Sequence, residues 1–211
     1  MIRTEHEGKE WIFPFVKYSA DKSNKKLPLI IQLHGAGEWG GGGEELHLVE
    51  THGFSRIMSD IDSECIIVMP QCPPDSFWAA KVESLLLFIE QLKKRFDIDE
   101  ERISLTGFSM GGYGTWFTAM AKPQLFSAIA PVCGGGMAWK AIALDMPVWA
   151  FHGTEDDVVT PVQTEEMVER LKLLGRDVTY TKFEGEGHSI QELAYTTKLL
   201  HWLLSKKRKN S

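Results

Sequence analysis

The chain has 211 residues, of which 43% are hydrophobic and 25% charged, with a formal net charge of −6. That size suits one soluble α/β domain spanning 1–211, and the negative balance argues against nucleic acid or anionic lipid as a partner. No apolar run approaches the roughly 18 residues of a membrane span, and Met1 to Glu7 lacks the apolar core of an export signal.

In chain order, Trp11 to Tyr18 predicts an early strand and Ser19 to Lys26 a polar turn. Leu29 to Leu33 is near-continuously apolar, as in a strand buried on both faces of a parallel sheet, and ends in His34-Gly35-Ala36-Gly37-Glu38-Trp39. Gly40 to Gly43 follow and predict a mobile rim; Glu44 to Asp60 is loosely helical. Cys65 to Met69 predicts a second buried strand, and Val82, Leu85, Leu86, Ile89, Leu92 and Phe96 recur at helical spacing. Ile103 to Thr106 is again strand-like and leads into Gly107-Phe108-Ser109-Met110-Gly111, after which Gly112 to Ala121 reads as a helix. Strands at Ala128–Val132, Val148–Phe151 and Val178–Phe183 alternate with helices at Pro161–Leu174 and Ile190–Leu204. The basic run that opens the 206–211 tail, Lys206-Lys207-Arg208-Lys209, reads as a solvated end. Alternation of this kind specifies a mostly parallel sheet with helices on both faces, and little sequence is left for a lid.

Such sheets place chemistry in the loops at the carboxyl ends of their strands. In G-x-S-x-G between a strand and a helix, the sharp turn needs small neighbours and lifts the Ser109 hydroxyl above the sheet. A neutral serine is a poor nucleophile, so an imidazole must accept its proton and a carboxylate must orient that imidazole. Asp156 or Asp157, after the strand ending at Phe151, can supply the acid; His188, approached through Gly185 and Gly187, can supply the base. The order Ser, Asp, His is that of the α/β-hydrolase arrangement. The oxyanion of an acyl-transfer intermediate needs two donors, read here as the backbone N–H groups of Met110 and Ala36.

Leu33 to Glu38, Pro70-Gln71-Cys72-Pro73, Gly107 to Trp116 and His152-Gly153 through Val159 resemble the small α/β-hydrolases of the phospholipase/carboxylesterase and prolyl-oligopeptidase-like group, over roughly residues 10 to 205. The resemblance places the acid four residues after His152, which selects Asp156. It implies a carboxylic-ester hydrolase with no metal and no organic cofactor, acting on small-molecule esters. Where relatives often carry Gly-Glu-Arg-Gly, this chain has Gly37-Glu38-Trp39-Gly40. A peptidase, amidase or thioesterase of the same fold, and a catalytically silent binding module, are the competing readings.

Trp39, Phe77, Trp78, Phe108 and Trp139 flank strand-end loops, and Trp39, Trp78 and Phe108 are the candidates for a substrate pocket. His34 and His152 each end a buried strand and read as loop braces. His47 and His52 lack the spacing of a metal site. Cys65, Cys72 and Cys133 cannot all pair; Cys65 and Cys133 lie in apolar runs and read as free thiols of a reducing compartment, which points to the cytoplasm.

Overall fold

A computed structural model describes residues 1–20, 24–61 and 63–208. Its centre is an eight-stranded sheet made of β1 (Ile2–His6), β2 (Phe15–Ser19), β3 (Leu27–Leu33), β4 (Ile66–Pro70), β5 (Ile98–Phe108), β6 (Ala128–Val132), β7 (Val148–Gly153) and β8 (Val178–Phe183), in the order β1-β2-β4-β3-β5-β6-β7-β8. Strands β3 to β8 run parallel, while β1 and β2 add an antiparallel edge.

Every residue of β3 and β4 is buried, as their near-continuous apolar runs require of strands covered on both sides. Alternation along β3 sends Leu29, Ile31 and Leu33 to one face and Ile30 to the other. Helices α1 (Val82–Arg95), α2 (Met110–Ala121) and α3 (Val162–Leu173) cover the first face through Phe88, Trp116 and Leu171. The second face is covered by α5 (Thr197–Ser205) through Leu199 and Leu203, and by 3-10 turns that carry Leu46 and Phe54. No helix among the described residues is long and apolar enough to cross a membrane.

Four expectations change. The first hydrogen-bonded strand is β1, whose Ile-Arg-Thr-Glu-His sequence is mostly exposed and so carries no apolar signal. The strand expected from Trp11 starts only at Phe15, because Pro14 has no N–H for the ladder and Trp11 stacks on Phe96 instead, at 5.9 Å. The last helix breaks into α4 (Gln191–Ala194) and α5: Tyr195 and Thr196 leave helical geometry, and the Thr196 side chain accepts the Leu199 N–H. The described part of the basic tail is not free, since Arg208 donates from its backbone N to Glu101 O (2.8 Å) and from Nη1 to Gln124 O (2.7 Å), and Lys207 pairs with Glu101. Residues 21–23 of the expected polar turn, and Lys209, lie outside the described residues.

Candidate active site

At the junction of β5 and α2, Ser109 holds φ 53°, ψ −113°. A non-glycine residue at positive φ costs on the order of 1–3 kcal/mol and needs a rigid frame. The frame is a close approach of backbones. A Cβ on Gly107 would lie 2.3 Å from Gly111 O, and one on Gly111 would lie 2.2 Å from Leu33 O. Glycine at both places lets α2 start directly against the ends of β5 and β3, and Ser109 N–H is fixed by Val132 O at 2.8 Å.

The Ser109 Oγ so presented lies 2.8 Å from His188 Nε2, and His188 Nδ1 lies 2.7 Å from Asp156 Oδ2. A carboxylate only accepts, so Nδ1 carries the imidazole proton and Nε2 is left to accept the serine hydroxyl. Asp156 Oδ1 accepts the N–H groups of Val158 (3.0 Å) and Val159 (2.9 Å), which turns the acid loop around the carboxylate. Burial opposes ionisation of Asp156, but the His188 hydrogen bond and the two amides together hold its carboxyl below the ordinary value. Asp157, the alternative acid in the sequence, is exposed.

Met110 is the first residue of α2, where backbone N–H groups have no partner within the helix. Ala36 is exposed in the turn after β3, between Gly35 and Gly37, whose N–H groups are drawn to the Glu38 carboxylate. Burial raises the Glu38 carboxyl, with the His52 charge and these two amides acting the other way. The turn rests on His34, which accepts the Cys72 N–H at Nε2 (2.9 Å) while Nδ1 meets Gly35 O (2.7 Å).

The glycine stretch beyond that turn is anchored, contrary to the mobile rim expected. Gln71, fully buried at the end of β4, accepts from Gly42 N at 2.9 Å and donates to Glu45 O at 2.8 Å and Glu38 O at 3.2 Å. Gly40 N–H reaches Cys72 O, and Gly43 N–H reaches Glu7. Gln71 was the residue to suspect, as an amide set between two prolines after an apolar strand, yet its partners cannot be read from sequence.

The aromatic candidates divide. Phe108 packs its ring 4.9 Å from that of His188 and lines a crevice with Gly35, Glu38, His52 and Tyr195. Trp39 is half-buried and donates to Ser76 O at 2.8 Å. Trp78 is withdrawn from any substrate wall: it has no exposed surface, donates to His34 O, and packs edge-on to Phe13 where Gly114 lets α2 close over it. Phe77 and Trp139 are exposed.

Cys133 was anticipated only as a buried thiol, but it joins the site. At φ 47° it shares with Ser109 the positive φ found in no other non-glycine residue among those described, and its Sγ lies 3.6 Å from His188 O. Cys133, Asp156 and His188 place donor atoms within 4.8 Å of one another, the ligand types a zinc ion takes. Burial and then the Asp156 charge push the Cys133 thiol far up, and His188 Nδ1 is already committed to Asp156, so a cation there must displace two protons.

The sheet order, the strand–serine–helix turn and the loops facing it define the α/β-hydrolase fold, and solved structures agree. A thermostable esterase superimposes with a TM-score of 0.83 at 29% identity, covering 98% of this chain and 63% of that one. Esterase PE8 gives a TM-score of 0.71 at 24% identity, over 89% of this chain and 97% of that one. The family model of phospholipase/carboxylesterase matches residues 78–199, and the chain belongs to that family. A bifunctional acetylxylan esterase/xylanase from Neocallimastix patriciarum is 34% identical over 161 residues, 70% of this chain but only 22% of that protein. An acyl-protein thioesterase 1 from Gibberella zeae is 33% identical over 99 residues, 42% of each chain.

Proposed function

We propose that the protein is a serine carboxylesterase that cleaves small esters through an acyl-enzyme. Ser109 Oγ attacks the ester carbonyl as its proton passes to His188 Nε2; the tetrahedral oxyanion is held by the Met110 and Ala36 N–H groups. His188 then protonates the departing alcohol oxygen, and a water deprotonated by His188 releases the acid. Asp156 keeps the imidazole in its Nδ1–H form and stabilises the cation it becomes. The observation that carries this reading is the imidazole of His188 bridging Ser109 at 2.8 Å and Asp156 at 2.7 Å.

The esterase names of the relatives support ester over amide substrates, and the acetylxylan esterase name supports a short acyl group. A thioesterase is the second reading, favoured by the acyl-protein thioesterase match. Three buried free thiols suit a reducing compartment, and we place the enzyme in the cytoplasm.

Turnover of p-nitrophenyl acetate, butyrate and octanoate, of a short-chain thioester and of an aminoacyl-anilide separates these activities. The acetate ester is expected to turn over fastest, with a loss of roughly ten-thousand-fold or more in Ser109→Ala. Faster cleavage of the anilide, or unchanged ester turnover in Ser109→Ala, contradicts the proposal; preference for the thioester transfers it to the second reading.

A further inference from the structure

The two backbone donors assigned to the oxyanion differ in what holds them. Met110 N–H belongs to the first turn of α2, which packs against the ends of β5 and β3. Ala36 is exposed in a turn between two glycines, and no hydrogen bond to Ala36 is present among the described residues. We propose that Gln71 is the positioning residue for this turn, its buried side-chain amide clamping the chain just beyond Ala36 so that the Ala36 N–H keeps its aim at the oxyanion. The proposal rests on the esterase reading given above.

The segment that follows β4 pins the turn on both sides. Before it, His34 Nε2 accepts the Cys72 N–H at 2.9 Å, and Trp78 Nε1 donates to His34 O at 3.1 Å. Beyond it, Gln71 Nε2 donates to Glu38 O at 3.2 Å, Gly40 N–H reaches Cys72 O at 3.1 Å, and Gln71 Oε1 accepts the Gly42 N–H at 2.9 Å. Only Gly35, Ala36 and Gly37 lie between the pins at His34 and Glu38. Two of the three are glycines, the residues with most backbone freedom to lose. A donor left to wander is costly: misplacement by about 1 Å at an active site can cost about a hundredfold in rate.

The clamp needs a primary amide. Nε2 carries two hydrogens, and both are taken, by Glu38 O and by Glu45 O at 2.8 Å. Carbonyl oxygens only accept and the Gly42 N–H only donates, so turning the amide over would break all three contacts. Gln71 has no exposed surface, so bulk water cannot take the place of a lost partner. A Cβ on Gly40 would lie 2.4 Å from Gln71 Nε2, which shows how closely the chain beyond the turn runs against the amide.

Two variants disturb the clamp in different ways. Gln71→Met keeps the side-chain length and removes the hydrogen bonds; Gly40→Ala keeps the amide and displaces it. In both, kcat for p-nitrophenyl acetate is expected to fall about tenfold to a hundredfold with KM little changed. Affinity for a boronic acid, whose tetrahedral adduct with Ser109 places an oxygen at the oxyanion position, is expected to fall by a similar factor. Gln91 bridges backbone groups elsewhere, accepting from Ile12 N and donating to Glu10 O, both at 3.1 Å, and Gln91→Met is expected to keep wild-type kcat. Backbone NMR order parameters of Gly35 to Gly37 are expected near 0.85 in the wild type and below about 0.6 in Gln71→Met. Wild-type kcat and boronate affinity in both variants, each folded by its melting curve, would overturn the proposal, as would a rise in KM alone or a turn as rigid in Gln71→Met as in the wild type. The wild type supplies a test needing no variant: Gln71 side-chain amide protons that exchange with water as fast as those of an exposed glutamine also overturn it. The relaxation and exchange readouts dispense with substrate, so an inactive wild type would remove the esterase reading while the clamp was still decided by the rigidity of the turn.

Discussion

At the end of β3, the imidazole of His34 accepts the Cys72 N–H and lies beyond the reach of water, so adding a proton costs both solvation and a hydrogen bond. Burial lowers its pKa from 6.5 to about 4, against a smaller opposing effect of Gly35 O. The unfolded chain binds a proton here at pH values where the folded chain does not, so stability rises with pH across that window. The contribution is whole above about 6.5 and is lost as pH falls towards 4, a loss of about 3 kcal/mol at the acid end. His34→Gln supplies an acceptor to Cys72 without the titration. Its unfolding free energy is expected to change less between pH 7 and pH 4.5 than that of the wild type, measured by urea denaturation; parallel curves would show that His34 is not the group concerned. Such roles are only half-written in the sequence. That His34 and His152 brace loops follows from their places after buried strands, but which nitrogen donates depends on Cys72, brought to His34 by the topology, and on how the loop after His152 turns Val159 O back onto its ring.

Between elements, the contact of α2 with the ends of β5 and β3 decides whether the site forms. Gly111→Ala puts a Cβ 2.2 Å from Leu33 O, a backbone atom of a buried strand that cannot move aside. The strain is expected to destabilise the fold by about 3 kcal/mol and to cut ester turnover beyond what the folded fraction explains, since Leu33 leads into the turn that holds Ala36. Urea unfolding and kcat, measured on the same samples, check this; a stable and fully active Gly111→Ala would mean that the glycine spacing is not what aligns Ser109 with the turn that carries Ala36. Strands β3, β4 and β6 could be read directly because burial on both faces demands near-continuous apolar runs. The broken last helix could not. Its apolar spacing runs on through Tyr195, but the buried Tyr195 ring packs edge-on to Phe54, with its hydroxyl 3.3 Å from Thr106 Oγ1, and this tertiary contact overrides the helical period.

Over the whole molecule, three residues from separate strand-end loops meet because six parallel strands present their carboxyl ends to one rim. Ser109 and His188 are 79 positions apart, and their meeting was legible from motif and chain order, since the parallel alternation leaves that rim as the place where such loops converge. The pocket was less legible: an aromatic residue near a strand end has the same sequence signature whether it lines a crevice, as Phe108 does, or fills the core, as Trp78 does. The most direct test of the central claim is covalent labelling of the folded protein with a fluorophosphonate, followed by mass mapping of the modified peptide. One equivalent on Ser109, absent in Ser109→Ala and strongly slowed in His188→Ala, is the predicted result. A folded wild type that takes up no label, or carries it on another residue, contradicts the account.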